Sequence, residues 1–87
     1  MTFEFDPVKS LTNKQKHGVD FVEIQELWND DRYVQIIART IDEPRFLVIG
    51  KYQRKIWSCI VTFRKNNVRI ISARRARPEE ELIYERI

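Results

Sequence analysis

The residues with the clearest capacity for chemistry are arginines at the ends of two predicted strands. Arg64 ends one strand, and Arg74 and Arg75 end the next. Successive residues of a strand point to opposite faces, so one of Arg74 and Arg75 shares a face with Arg64. Guanidinium groups that converge on one face can grip a phosphate and stabilise the charge that develops when it is attacked. If the strand register brings them together, these arginines are candidate catalytic groups, although a nucleic-acid-binding surface without chemistry would carry the same charges.

A second candidate lies where the first predicted helix ends. His17 is the only histidine of the chain, and it stands between Lys16 and Gly18. Histidine is the side chain whose ordinary pKa lies closest to neutrality, so His17 could shuttle a proton while Lys16 holds a phosphate. Both could instead interact with the carbonyls at the helix C-terminus, and the residues alone favour that structural role.

The distribution of charge indicates contact with a polyanion. The chain carries a net charge of +3, but residues 44–77 contain ten basic residues and no acidic one. Aromatic residues are interleaved with these cations, which suits nucleic acid better than a lipid surface. A pure protein-interaction subunit is disfavoured, because that role does not require ten cations without an acid.

Two further side chains have simpler interpretations. Tyr84 follows Glu80 by four residues on the last predicted helix, so the two share a face. The tyrosine could stack on a base or relay a proton, but packing against the sheet is the commoner fate of such a residue. Cys59, at a core-facing position, is interpreted as an inert buried thiol.

Length and composition restrict the class of protein. With 87 residues we expect one domain, residues 1–87. The single cysteine cannot form an internal disulfide and there is no cluster of cysteine and histidine, so neither a metal nor another cofactor is predicted. No apolar run approaches the roughly 20 residues of a membrane span and no signal-peptide pattern is present, so we expect a cytoplasmic location without membrane contact.

Capping signals predict three helices. Asp6 and Pro7 start the first, which ends at about residue 17 because Gly18 suits a left-handed C-terminal position. Its apolar stripe is thin, so it should lie across another surface. Asp20 begins a capping-box pattern that opens a second helix with one apolar face. Pro78 opens the last helix, whose first turn of glutamates complements the helix dipole.

Alternating apolar residues predict the strands. A short edge strand is expected at residues 3–6, and four more at 32–39, 45–52, 55–64 and 68–74. Turns at 42–44, at Gln53 and Arg54, and at Asn66 and Asn67 separate the last four. Connections this short force antiparallel neighbours. The predicted order is β-α-α-β-β-β-β-α, an α+β fold with a twisted antiparallel sheet packed against helices.

Several segments resemble a known family. Phe-Glu-Phe-Asp-Pro at 3–7, Lys-His-Gly-Val at 16–19 and Phe-X-X-Ile at 21–24 are similar to the opening of the BrnT family of bacterial toxins. Arg-Phe-X-X-Ile-Gly at 45–50 and Arg-Ile-Ile-Ser-Ala-Arg-Arg-Ala at 69–76 resemble its middle and its late signature. Glu80 and Tyr84 fit the C-terminal helix of the family. Two features differ: Phe5 stands where the family usually has tryptophan, and the last helix is typically richer in arginine than Pro-Glu-Glu-Glu.

The resemblance implies a RelE-like fold and an RNA-cleaving toxin of a type II toxin–antitoxin system. The implied reaction is attack of the ribose 2′-hydroxyl on the adjacent phosphate, without a metal. On this interpretation the catalytic candidates are Arg64, Arg74, Arg75, His17 and Lys16. The candidate RNA contacts are Arg45, Lys51, Arg54, Lys55, Arg69 and Tyr84.

The resemblance also implies partners. These are the RNA substrate and a cognate, DNA-binding antitoxin, BrnA, so promoter DNA would be reached only through the antitoxin. An acidic antitoxin segment could cover the basic block at 44–77, and Leu11, Leu82 and Ile87 could extend that interface. The alternative is a non-catalytic nucleic-acid-binding module that acts as a co-repressor with its partner.

Overall fold

The chain folds into one five-stranded sheet with helical segments against both faces, as a computed structural model describes for residues 2–38 and 43–86. The strands are β1 (Thr2–Glu4), β2 (Val34–Ala38), β3 (Arg45–Tyr52), β4 (Lys55–Arg64) and β5 (Asn67–Arg75). The helices are α1 (Pro7–His17), a 3₁₀ helix (Glu23–Asn29) and α2 (Pro78–Glu85). The strand order in the sheet is β1-β5-β4-β3-β2. The predicted α+β class is therefore confirmed, as is the order of helical segments and strands along the chain.

The four later strands are antiparallel neighbours, as their short connections predicted. The edge strand β1 differs, because it pairs parallel to β5, with Phe3 opposite Val68. β1 and β5 are far apart in sequence, so no hairpin constrains their relative direction. The sheet is therefore mixed rather than wholly antiparallel.

Local signals predicted the ends of the first helix correctly. The Asp6 carboxylate accepts a hydrogen bond from the Val8 N–H (2.8 Å), which caps the N-terminus of α1. At the other end Gly18 has a φ of +86°, and its N–H donates to the Lys14 carbonyl (3.0 Å). The predicted start of α2 at Pro78 is also correct.

The second helix is a 3₁₀ helix, not the α-helix that we expected. The predicted capping box is present, since the Asp20 N–H donates to Glu23 (2.9 Å) and the Glu23 N–H donates to Asp20 (2.7 Å). Ile24 and Leu27, both completely buried, are three residues apart, and a 3₁₀ helix with three residues per turn places them in one row. This row lies close to β3, where a Cβ on Gly50 would come within 3.3 Å of the Leu27 side chain.

The turns and boundaries show smaller differences. Gln53 and Arg54 form the β3–β4 turn as predicted, whereas the β4–β5 turn is at Lys65 and Asn66, one residue earlier than expected, because Arg64 pairs with Asn67. β2 begins at Val34 rather than at residue 32. Arg39 of the predicted strand, Asp42 of the predicted turn and the C-terminal Ile87 lie outside the described residues.

Helix α1 is attached to the sheet through polar groups, which explains its thin apolar stripe. Asn13 is buried, and its amide donates to the Ala73 carbonyl (2.9 Å) and accepts from the Ala73 N–H (3.1 Å). The same amide donates to the Val19 carbonyl (2.8 Å). Asn13 thus pairs with backbone hydrogen-bonding groups at the outer edge of β5, beyond the short segment with which β1 pairs.

The core lies on both faces of the sheet. The 3₁₀ helix and the preceding loop cover one face, which contains Phe21 and Cys59, and α2 covers the other, which contains Ile49 and Tyr84. Cys59 is completely buried, and this burial raises the pKa of its thiol, as expected for an inert group. Within the described residues, no helix has the length and apolar character needed to cross a membrane.

A buried carboxylate attaches α2 to its face of the sheet. The Glu80 carboxylate accepts hydrogen bonds from two guanidinium nitrogens of Arg74 (2.7 and 2.9 Å). It also accepts hydrogen bonds from the Ser58 hydroxyl (2.8 Å) and the Arg77 N–H (2.9 Å). The bonds from Arg74, together with those from Arg77 and Ser58, outweigh desolvation and lower the pKa of Glu80 to about 2.

This pKa predicts a specific acid sensitivity. A carboxyl with a lowered folded-state pKa stabilises the fold above its unfolded-state pKa of about 4.5, and this contribution is lost as the pH falls towards about 2. Urea unfolding between pH 7 and pH 2 should show a loss on the order of 3 kcal/mol from this group. Glu80→Gln should unfold more easily at pH 7 and show a correspondingly weaker pH dependence. The exposed neighbour offers a control, Glu79→Gln, which should behave like the wild type; equal acid dependence in Glu80→Gln and wild type would contradict the assignment.

Candidate functional site

The ten cations of residues 44–77 are divided between two ends of the sheet. We call these the β3–β4 end and the β4–β5 end, after the turn at each. The β3–β4 end carries six of them: Lys51, Arg54, Lys55, Arg74, Arg75 and Arg77. The β4–β5 end carries Arg45, Arg64, Lys65 and Arg69. A continuous basic block in the sequence therefore forms two separate patches.

The expected meeting of Arg64 with Arg74 does not occur. Cross-strand partners share a face of the sheet. The pairs Ser58–Arg74 and Arg64–Asn67 place both arginines on the face that α2 covers, so Arg64 does share a face with one of the two β5 arginines. The pairs are six residues apart along β4, which at about 3.3 Å per residue is about 20 Å. One phosphate cannot contact both guanidinium groups.

Adjacent arginines on β5 have different environments. Arg74 is held by Glu80 in a two-pronged ion pair and is only partly exposed. Arg75 points to the opposite face, is exposed, and lies over the Trp57 ring at 5.7 Å from its centroid. Its Nε donates to the Ile56 carbonyl (3.4 Å). The guanidinium of Arg75 is therefore oriented by an aromatic ring, and none of the acidic side chains that the structure describes forms an ion pair with it.

The last turn of α1 lies at the β3–β4 end. β1 pairs with the start of β5, and Asn13 of α1 contacts Ala73 farther along β5. From β1 to α1 the chain therefore runs in the same direction as β5. The exposed side chains of Lys16 and His17 follow within one turn. Strand β5 ends at the same side, at Arg75. The structure thus brings both α1 candidates to the end of the sheet that carries Arg75.

Lys14 is a cation of this region that sequence reasoning missed. Its ammonium donates to both oxygens of Glu23 (2.8 and 2.9 Å), and this interaction raises the pKa of Lys14 and lowers the pKa of Glu23. In the sequence, a capping box close to a helical lysine was the available signal.

Tyr52 was missed as well. Its carbonyl accepts from the Trp57 indole N–H (3.2 Å), and the two rings meet edge to face with centroids 6.5 Å apart. The ring is half-buried at the end of β3, immediately before the turn. An aromatic residue directly before a two-residue turn between basic side chains was the sequence signal for it.

Tyr84 occupies a packing position, not a surface for a base. It is 7% exposed, and its hydroxyl donates to Asp30 (2.6 Å). Burial, with the bond to Asp30, raises the pKa of Tyr84 to about 12. The Asp30 carboxylate also accepts a hydrogen bond from the Lys51 N–H (2.8 Å). Through Asp30, Tyr84 therefore connects α2 to the end of β3.

The other predicted RNA contacts are divided between the two ends. Lys51, Arg54 and Lys55 are exposed at the β3–β4 end. Arg45 is exposed at the other end, where Arg69 forms an ion pair with Glu4 (3.5 Å). Over residues 2–38 and 43–86 there is no group of three or more histidine, cysteine or acidic side chains arranged to hold a metal ion.

Comparison with known proteins gives one finding. A family model described as "Ribonuclease toxin, BrnT, of type II toxin-antitoxin system" matches residues 5–80. A search of curated proteins gives no significant match. The matched region includes α1, the 3₁₀ helix, β2 to β5 and the first turn of α2, and therefore every residue of the β3–β4 end. Since the match covers most of the 87 residues, the chain belongs to the BrnT family of ribonuclease toxins of type II toxin–antitoxin systems.

Proposed function

We propose that this protein is a metal-independent endoribonuclease toxin that acts at the β3–β4 end of the sheet and is neutralised by a cognate antitoxin. The family supports ribonuclease activity. The observation that carries the choice of site is the exposed Arg75 guanidinium, oriented by Trp57 at the end that also holds Lys16 and His17. The substrate RNA and the antitoxin are cytoplasmic partners on this proposal.

The chemistry requires charge stabilisation and proton transfer. The ribose 2′-oxygen loses its proton and forms a bond to the adjacent phosphorus, while the bond from phosphorus to the 5′-oxygen breaks and that oxygen gains a proton. The products are a 2′,3′-cyclic phosphate and a 5′-hydroxyl. Arg75 would stabilise the negative charge on the phosphate oxygens, because a guanidinium matches these oxygens and keeps its proton.

The remaining candidates take supporting roles. His17 would transfer a proton and Lys16 would hold a phosphate at the last turn of α1. Arg54 and Lys55 would contact the RNA backbone beside them. Arg74 is a positioning residue, since its ion pair with Glu80 fixes the α2 side of the strand that carries Arg75. Arg64, at the opposite end, would bind a more distant part of the RNA.

The first test is cleavage by the purified chain in the presence of EDTA. We expect RNA to be cut to fragments ending in a 2′,3′-cyclic phosphate, identified by mass spectrometry, while DNA of the same sequence stays intact because it lacks the 2′-hydroxyl. Folded protein that binds this RNA without cutting it would contradict the proposal and support the co-repressor alternative.

A paired substitution tests the position of the site. Arg75→Ala should lower the cleavage rate by about 10²–10³, the effect of removing one charge-stabilising group. Arg64→Ala removes the same group about 23 Å away, since Arg64 lies seven residues along β4 from Trp57, the partner of Arg75. It should weaken RNA binding while changing the rate at saturating RNA less than tenfold. Single-turnover kinetics measure both, with circular dichroism to compare the folded fractions. Equal rate losses in the two variants would place the reaction elsewhere.

The antitoxin should cover the same end. We propose a BrnA-like, DNA-binding partner with an acidic segment that competes with RNA for the cations there. In hydrogen exchange with saturating antitoxin, the amides of the turn at Gln53 and Arg54 should become protected. The turn at Lys65 and Asn66 should stay unchanged, which makes it an internal control. Protection at the second turn without protection at the first would show that inhibition acts from the β4–β5 end.

A further inference from the structure

A cleft opens beside the proposed catalytic cations, between the 3₁₀ helix and the β3–β4 turn. Its volume is about 350 Å³, within the range of small-ligand sites. Glu26, Asn29 and Asp30 line it from the helical side, and Tyr52, Gln53 and Arg54 line it from the turn. Tyr52 connects this cleft to Trp57, over which Arg75 lies.

The cleft offers an aromatic surface whose position is fixed. Tyr52 is half-buried, and its contact with Trp57 and the hydrogen bond to its carbonyl hold the end of β3 in place. Proteins that bind single-stranded RNA stack unpaired bases on aromatic side chains of this kind. The cationic side chain of Arg54, at the rim, suits the phosphate attached to such a base.

Its acidic side chains indicate recognition of a base in addition to phosphate, because carboxylates repel phosphate. The Asp30 carboxylate is already occupied by Tyr84 and by backbone N–H groups. Glu26 is exposed, and the Asn29 amide donates to its Oε2 (2.9 Å), which orients the carboxylate. Among the residues that the structure describes, no hydrogen bond is made to Oε1. A carboxylate accepts up to about four hydrogen bonds, so Glu26 retains capacity on both oxygens.

The turn beside the cleft is held in an unfavourable conformation. Gln53 and Arg54 have φ angles of +50° and +68°, in a two-residue turn where asparagine and glycine are preferred. Strained backbone of this kind is found preferentially at functional sites. The two long polar side chains of this turn line the cleft, where they can contact a bound ligand.

We propose that this cleft is a guanine-binding subsite of the RNA substrate. The Watson–Crick edge of guanine carries two neighbouring donors, N1–H and the N2 amino group, which fit the two oxygens of the Glu26 carboxylate. Adenine, cytosine and uracil each lack such a donor pair on that edge. The guanine ring stacks on Tyr52, and Arg54 contacts the adjoining phosphate. This inference rests on the proposed function, since it assigns sequence preference to the same site.

Binding to short, uncleavable oligonucleotides tests it. The probes are 2′-O-methyl oligouridines with one central guanosine or one central adenosine, and fluorescence anisotropy gives the affinity for each. The wild type should prefer the guanosine probe by about tenfold, the discrimination of one bidentate contact. Glu26→Gln should abolish this preference and leave binding of the adenosine probe intact. Glu85→Gln, which removes an equal charge from the exposed end of α2, should retain it.

The outcomes separate this inference from the proposed function. A wild type that cleaves RNA yet binds both probes equally overturns the guanine subsite and leaves the nuclease in place. A guanine preference that persists in Glu26→Gln also overturns it. Tyr52→Leu should weaken binding of both probes alike, and unchanged affinity there contradicts stacking. If the wild type neither binds nor cleaves RNA, the proposed function and the subsite fail together.

Discussion

The position of α1 depends on the pair of hydrogen bonds between the Asn13 side chain and the backbone of Ala73. A β-strand at the edge of a sheet leaves N–H and C=O groups unpaired, and these must be satisfied where the edge is buried. β1 covers only the first part of β5, and the Asn13 amide takes over where β1 has ended. Because one side chain acts as a short strand, α1 is held along β5, and its last turn reaches the end of the sheet where Arg75 lies.

Pairing between charges then decides which cations remain available. Glu80 binds Arg74, Glu4 binds Arg69 and Glu23 binds Lys14, so three basic side chains are already engaged. Each of these acids lies outside residues 44–77, the segment that contains no acid of its own. The acid-free segment is consequently less uniformly available to a polyanion than its composition suggests. Arg75 keeps its exposure because its contact is the face of Trp57, which orients the guanidinium without neutralising it.

The proposed function and the proposed subsite draw on the same geometry in different ways. Cations at the β3–β4 end supply attraction to phosphate, which is independent of base sequence. The neighbouring cleft contains an aromatic ring, on which any base can stack, and an oriented carboxylate, which can distinguish one base from another. A nuclease site built in this manner separates charge stabilisation on one side of Tyr52 from base selection on the other.

The sequence by itself determined features that depend on neighbouring residues. Asp6 and Gly18 set the ends of α1, and alternation with short connections determined the antiparallel arrangement of β2 to β5, because caps, turns and pleat are local properties. The motifs also sufficed to indicate the family, which the match over residues 5–80 confirms. Only the tertiary structure decided that Arg64 lies far from Arg74, that Tyr84 is bound to Asp30 from 54 residues away, and that β1 is parallel to β5. These features depend on strand register and on contacts between distant segments, whose energies arise only when the whole chain packs.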